Sequence, residues 1–147
     1  MPHTYTQNTI HVIFSTKNRT KTIPKALQPK LWAYAAGICK NHKILPLEIG
    51  GGDDHVHLLI QIPPTLTLSD AVAIIKANSS RWVHERGRNF DWQQGYGAFS
   101  VSASSIPSVV RYIQNQEAHH KKRTFEEEWF ALLKKHRLGF DPRYALG

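Results

Sequence analysis

The chain has 147 residues, enough for one compact domain with a real core and too few for two independent ones, so residues 1–147 are expected to form a single domain around a single site. Nineteen Lys and Arg against eleven Asp and Glu give a formal net charge of +8, a balance that favours a polyanionic partner such as nucleic acid. A single cysteine excludes an intrachain disulfide and a thiolate zinc cluster, no apolar run approaches the roughly 20 residues that span a bilayer, and the start lacks a secretory pattern, so a cytoplasmic location is expected.

In chain order, "NTIHVIFST" alternates Ile10, Val12 and Phe14 with His11, Ile13 and Ser15, the period of a half-buried strand. The basic loop "TKNRTKTIP" follows, and Gln28-Pro29 opens a helix with Leu31, Tyr34, Ala35 and Ile38 at core spacing, ending near Asn41. "KILPLEIGG" reads as a second strand whose Pro46 suits a sheet edge or a bulge. "DHVHLLIQI" is the third strand. A second helix is expected from a Ser69 cap through Val72, Ile75, Ser79 and Trp82 until Gly87 stops it. "YGAFSVS" is a short fourth strand, "SIPSVVRYIQNQEAHHKK" a third helix with Ile106, Val109, Val110 and Ile113 as its apolar stripe, and "TFEEEWFALLKKH" a last helix opened by a capping box from Thr124 to Glu127.

Strand, helix, strand, strand, helix, strand is the ferredoxin-like (RRM-like) βαββαβ pattern, an α+β antiparallel sheet, here with additional C-terminal helices. Strands one and three are then central, two helices cover one sheet face, and the other face is expected to stay open for a ligand. In the third strand Val56, Leu58, Ile60 and Ile62 point towards the helices, so His55, His57, Leu59 and Gln61 point away. The two imidazoles project from one face about 7 Å apart along the strand, close enough to converge on one divalent ion, and His11 shares their side. On the third helix Tyr112 and Gln116 stand four residues apart on a flank beside the apolar stripe. A phenol near two imidazoles and an amide suggests phosphoryl transfer, because tyrosine is a poor nucleophile until a cation polarises the phosphate.

"GGDDHVHLL" followed by "RYIQNQEAHHKK", with "HVIFSTKNR" at the first strand and an F-x-x-E helix near the C-terminus, resembles the single-tyrosine HUH transposases of small insertion sequences and the related REP-associated tyrosine transposases. The resemblance extends over almost the whole chain. It implies a ferredoxin-like core in which His55 and His57 bind Mg²⁺ or Mn²⁺ with Gln116 matching the third ligand. It also implies that Tyr112 attacks a phosphodiester of single-stranded DNA, at hairpin-bearing ends, forming a 5′-phosphotyrosine link and freeing a 3′-OH. A homodimer is implied too, with a tyrosine that can complete the partner's histidine site.

Further candidates for holding DNA are Lys17, Asn18 and Arg19 past the first strand, Arg111 beside the tyrosine, and His119 and His120 with Lys121, Lys122 and Arg123 after it, where a charged helix end is the alternative. Trp92 and Tyr96 suit either base stacking or core packing, and Asp53 and Asp54 shape the turn before the third strand, where Asp54 can also orient a ligand. Two rival functions follow from the same residues. A non-catalytic RRM-like nucleic-acid-binding module shares the element order, but should show exposed aromatics where strands one and three carry His11, His55 and His57. A metal-dependent hydrolase would use water as nucleophile and leave Tyr112 a structural role.

Overall fold

A computed structural model describes residues 3–146. Its elements are β1 (Thr9–Ser15), α1 (Gln28–Asn41), β2 (Leu45–Gly51), β3 (His55–Gln61), α2 (Leu68–His84), β4 (Gly97–Ser100), α3 (Ile106–Gln114), α4 (Gln116–His120) and α5 (Phe125–Lys135). The four strands form one sheet in the order β2-β3-β1-β4, antiparallel at every pairing. β1 and β3 are central, as the βαββαβ reading requires. Pro46 lies on the edge strand β2, at a register shift between Pro46 and Glu48, where its missing N–H costs no ladder bond.

The alternation in β1 and β3 sorts side chains to two faces. Val12, Phe14, Val56, Leu58 and Ile60 are buried against Ile38 and Cys39 of α1 and Ala71, Val72 and Ile75 of α2. Each such buried aliphatic side chain contributes about 1.5–3 kcal/mol of transfer free energy. Trp92 belongs to this packing: it meets Phe14 and Phe90 edge-on and donates its indole N–H to Ser79 Oγ at 2.9 Å. Tyr96 packs against the same cluster, so of their two readings the structure supports core packing.

The second face differs from the sequence expectation. It is covered by the C-terminal helices, not open. Ile13 and Phe99 are buried under Phe125, Trp129, Leu132 and Leu133 of α5, and Leu59 is buried under Ile113 of α3. The apolar stripes of α3 and α5 had no other surface to bury, and Ile13 and Leu59 on the sheet are their counterpart.

Two local details also differ. The cap of α2 is Thr67, whose hydroxyl accepts the Asp70 N–H at 3.1 Å, while Ser69 lies inside the first turn. The long third helix is interrupted at Asn115 (φ −95°, ψ 19°), so Tyr112 and Gln116 stand on either side of a break. Asparagine competes with the helix backbone for hydrogen bonds and is at home at such an end. The capping box of α5 is present, Thr124 and Glu127 satisfying each other's backbone N–H groups.

Candidate metal centre

His55 and His57 are fully buried, as is Glu128 from α5. Their ligating atoms lie within 4.8 Å of one another. Burial follows from the covering helices: β3 alternation puts the imidazoles on the second face, and α5 brings a carboxylate down on them. Two glycines permit the close approach. A Cβ on Gly50 would stand 2.9 Å from the Ile113 side chain of α3, and one on Gly52 would stand 2.9 Å from the His55 ring.

Each histidine is oriented from behind. His55 Nδ1 lies 2.8 Å from Asp54 Oδ1, and His57 Nδ1 lies 2.8 Å from His11 Nε2. Both Nε2 atoms therefore turn inwards. His57 Nε2 is 3.1 Å from Glu128 Oε1, and His55 Nε2 is 2.8 Å from Gln116 Oε1 and 3.7 Å from Glu128 Oε1. Gln116, 2% exposed, donates its amide N–H to Glu128 Oε2 at 3.1 Å.

These contacts test whether a cation fits. With Nδ1 turned to the Asp54 carboxylate, His55 Nε2 points at the oxygens of Gln116 and Glu128, which are acceptors, so a cation between them would be met by a nitrogen lone pair and two oxygens. Lone pairs crowded together in a buried site call for positive charge, and imidazoles held by a carboxylate or a second imidazole on the outer nitrogen are the usual arrangement around a metal. The residues fit a divalent ion.

Tyr112 of α3 completes the cluster. Its hydroxyl donates to Glu128 Oε2, and its ring is 5.6 Å from that of His57 and 6.2 Å from that of His11. Glu128 is thus shared, Oε1 facing the imidazoles and Oε2 facing the phenol and the amide. The sequence placed Tyr112 on a flank beside the apolar stripe, and the structure packs it beside the Leu59, Val101 and Ile113 cluster and against His11 and His57 of its own chain. Burial, followed by the charge of Glu128, raises the phenol pKa well above its ordinary value. Burial alone would raise the Glu128 carboxyl, but the hydrogen bonds from His120 and His57 outweigh it and hold the carboxyl far below its ordinary range.

Burial also pushes His57 down to about 4, against the hydrogen bond and charge of Glu128 that act to raise it, and pushes His11 down to about 3, helped by the charge of His57. Both imidazoles are neutral in the folded state where an unfolded chain would begin to charge them near pH 6.5. Stability is therefore full above that pH and falls as pH drops from 6.5 towards 4, by up to about 1.4 kcal/mol per pH unit for each imidazole. Glu128 has the same sign, its stabilisation being lost on acidification. The melting temperature measured in chelator should fall steadily from pH 7 to pH 4.5, and a flat profile would refute the buried neutral pair.

Of the other residues singled out in the sequence, Lys17, Asn18 and Arg19 form a 3-10 turn in which Asn18 and Arg19 have φ of 57° and 54°. Arg19 is already paired with Glu126 at 3.2 Å, so only Lys17 and Asn18 of this turn are freely presented. Arg111, Lys121 and Lys122 are exposed, Arg123 is half-buried, and the His119 ring is 4.8 Å from that of Tyr112. Glu128 had no assigned role in the sequence beyond closing the F-x-x-E pattern. Its signal was present, since Glu128 falls three residues after Phe125 and four before Leu132, on the face that α5 buries.

The centre opens on two sides. A cavity of about 520 Å³ reaches Tyr112 and His11 beside Ser102, Ser105, Lys135 and His136. A second, of about 390 Å³, reaches His55 and Gln116 between Lys21, Lys25 and Lys121.

A four-stranded antiparallel sheet that holds an imidazole pair on its central strand, with a carboxylate and a tyrosine hydroxyl closed over it, defines an α+β protein able to place one cation beside one phenol. The chain belongs to the IS200-like transposase family, whose model, described as "Transposase IS200 like", matches residues 4–116. It is 25% identical over 125 residues to the transposase for insertion sequence element IS200 of Salmonella typhimurium and to that of Salmonella typhi, covering 79% of this chain and 81% of each relative. The fold is shared with a transposase structure from Deinococcus radiodurans (TM-score 0.63, 21% identity, 79% of this chain and 95% of that one). It is shared as well with a REP-associated tyrosine transposase bound to a REP hairpin (TM-score 0.62, 15% identity, 82% and 73%). Among the described residues no helix is long and apolar enough to cross a membrane.

Proposed function

We propose that this transposase cleaves and rejoins single-stranded DNA through a covalent 5′-phosphotyrosine intermediate on Tyr112, with a divalent ion held by His55, His57 and Glu128 and with Gln116 as a further ligand. The observation that carries the reading is the convergence of the Tyr112 hydroxyl and the two imidazoles on opposite oxygens of one buried carboxylate. Family membership and the chemistry of the donor set support it.

A divalent ion such as Mg²⁺ or Mn²⁺, when bound, supplies charge stabilisation to the scissile phosphate and to the departing oxygen. The chain's own residues do the rest. Lys21 and Lys121 around the second cavity draw the phosphate backbone towards His55 and Gln116, Lys25 there being paired with Glu117 at 3.0 Å, and Lys17, Asn18, Lys122 and Arg123 on the surrounding surface aid them. Asp54 and His11 hold the imidazoles so that their Nε2 atoms face inwards. Glu128 Oε2 holds the Tyr112 hydroxyl in place, and the phenolic oxygen gives up its proton to solvent as it bonds to phosphorus. The bond from phosphorus to the 3′ oxygen breaks, and the freed oxygen gains a proton to become a 3′-OH able to reverse the step on another end. Bond energy is conserved, so no nucleotide triphosphate is required.

All these groups come from one chain, so in this reading the tyrosine acts within its own subunit, and a homodimer would serve to bring two DNA ends together. The REP hairpin carried by the structurally similar transposase makes hairpin-bearing single strands the substrate class to test first.

The test is incubation with end-labelled single-stranded hairpin DNA from beside the gene, with and without Mg²⁺ or Mn²⁺. An adduct that survives denaturant, requires the metal and maps to Tyr112 is expected. Cleavage without an adduct would establish the hydrolase reading, and binding without cleavage the non-catalytic module.

A further inference from the structure

The resemblance implied a centre of two imidazoles and one amide, and the matched family residues end at Gln116. Beyond that point lies a third imidazole. His120, at the end of α4, has its Nε2 3.0 Å from Gln116 Oε1 and 3.2 Å from Glu128 Oε1, the same two oxygens that face His55 and His57. Its ring centre is 4.3 Å from that of His55. Gln116 and His120 are four residues apart on a single short helix, so one turn delivers both to the centre.

His120 also differs in where it sits. Its side chain is 18% exposed, against 0–1% for His55, His57 and Glu128, and it lines the cavity between Lys21 and Lys121. It therefore closes the buried donor set on the side from which a phosphate would arrive.

We infer that His120 is a further protein ligand beside His55, His57, Glu128 and Gln116, and that a centre of three imidazoles, one carboxylate and one amide prefers a borderline first-row ion such as Co²⁺ or Zn²⁺ to Mg²⁺. The inference rests on the metal-site reading above and changes its donor count. The chemistry follows from ligand type: Mg²⁺ demands oxygen donors in near-ideal octahedral geometry and keeps its waters, whereas imidazole nitrogen suits the later first-row ions. Three neutral nitrogens with one carboxylate leave a net single positive charge on a divalent centre, suited to an incoming phosphodiester. The competing role for His120 is a donor that merely steadies the Glu128 carboxylate from outside.

Co²⁺ serves as the probe because imidazole N–H protons on a cobalt ligand shift far outside the ordinary proton spectrum, one exchangeable signal per coordinated ring. The full-length wild-type chain loaded with Co²⁺ should show three such signals, and His120→Gln should show two. In equilibrium titrations the preference for Co²⁺ over Mg²⁺ should fall roughly tenfold or more in His120→Gln. Two shifted signals in the wild type, or an unchanged preference in a folded variant, would overturn the assignment and leave His120 as a positioning donor. If His120→Gln melts well below the wild type in chelator, the wild-type signal count alone decides, three for the inference and two against it. Failure of the metal reading itself looks different: the wild type would bind no Co²⁺ saturably, or His57→Gln would bind it as well as the wild type, and both readings would fall together.

Discussion

Replacing Tyr112 by phenylalanine is expected to abolish the covalent protein–DNA adduct, lowering strand cleavage about 10^3-fold or more, the scale on which deletion of a nucleophile acts. The ring stays, so its packing beside Leu59, Val101 and Ile113 stays with it. One hydrogen bond to Glu128 Oε2 is lost, but the Gln116 amide still donates there, which limits the stability change to about 1 kcal/mol. Denaturing gels of labelled single strands measure the first effect and thermal melts the second. The same variant decides whether the tyrosine serves its own chain. With the hydroxyl bonded to Glu128 of the same chain, a mixture of Tyr112→Phe and His57→Gln proteins that have exchanged subunits should remain inactive. Recovered activity would show a tyrosine working in its partner's site, and an adduct formed by Tyr112→Phe alone would remove Tyr112 from the nucleophile's role.

The sheet was legible because alternation in β1 and β3 is strict and because Pro46 marked the edge. His55, His57, Tyr112 and Gln116 were legible as residue types at defined spacings, and the structure brings all four together. What escaped was what lies over them. An open sheet face was inferred by treating the last helices as additions, although the stripes Ile106, Val109, Ile113 and Phe125, Trp129, Leu132 each needed an apolar partner, and Ile13 and Leu59 were the exposed positions left to meet them. Once that face is closed, a charge on the buried side of α5 must have a partner, and Glu128 becomes as informative as the histidines. The place of His120 at the centre, not on the DNA-facing surface, and the break at Asn115 were harder to see. They depend on where the chain turns between α3 and α5, a tertiary matter that helical spacing does not encode.

Closure of the sheet also alters what a histidine variant should do. On an open face His57→Ala would leave the fold intact, but His57 is fully buried between His11 Nε2 at 2.8 Å and Glu128 Oε1 at 3.1 Å. Alanine there opens a void, takes a donor from a buried carboxylate and strips His11 of its partner, costing roughly 2–4 kcal/mol. Glutamine is the more telling replacement. Its amide retains most of the volume and an N–H for Glu128, so the loss should shrink to about 1 kcal/mol, while an amide is a weaker metal donor than imidazole. Strand cleavage by His57→Gln should therefore fall about 10^2-fold or more, by the scale on which metal assistance and positioned proton transfer act. Affinity for the same single strand at fixed salt should change by no more than about threefold, because in the proposed reading it rests on exposed cations and not on the buried His57. Binding lost in parallel with cleavage in a folded His57→Gln protein would mean that the histidine face grips DNA instead of holding a cation. Cleavage at the wild-type rate would mean that the imidazole takes no part in the chemistry.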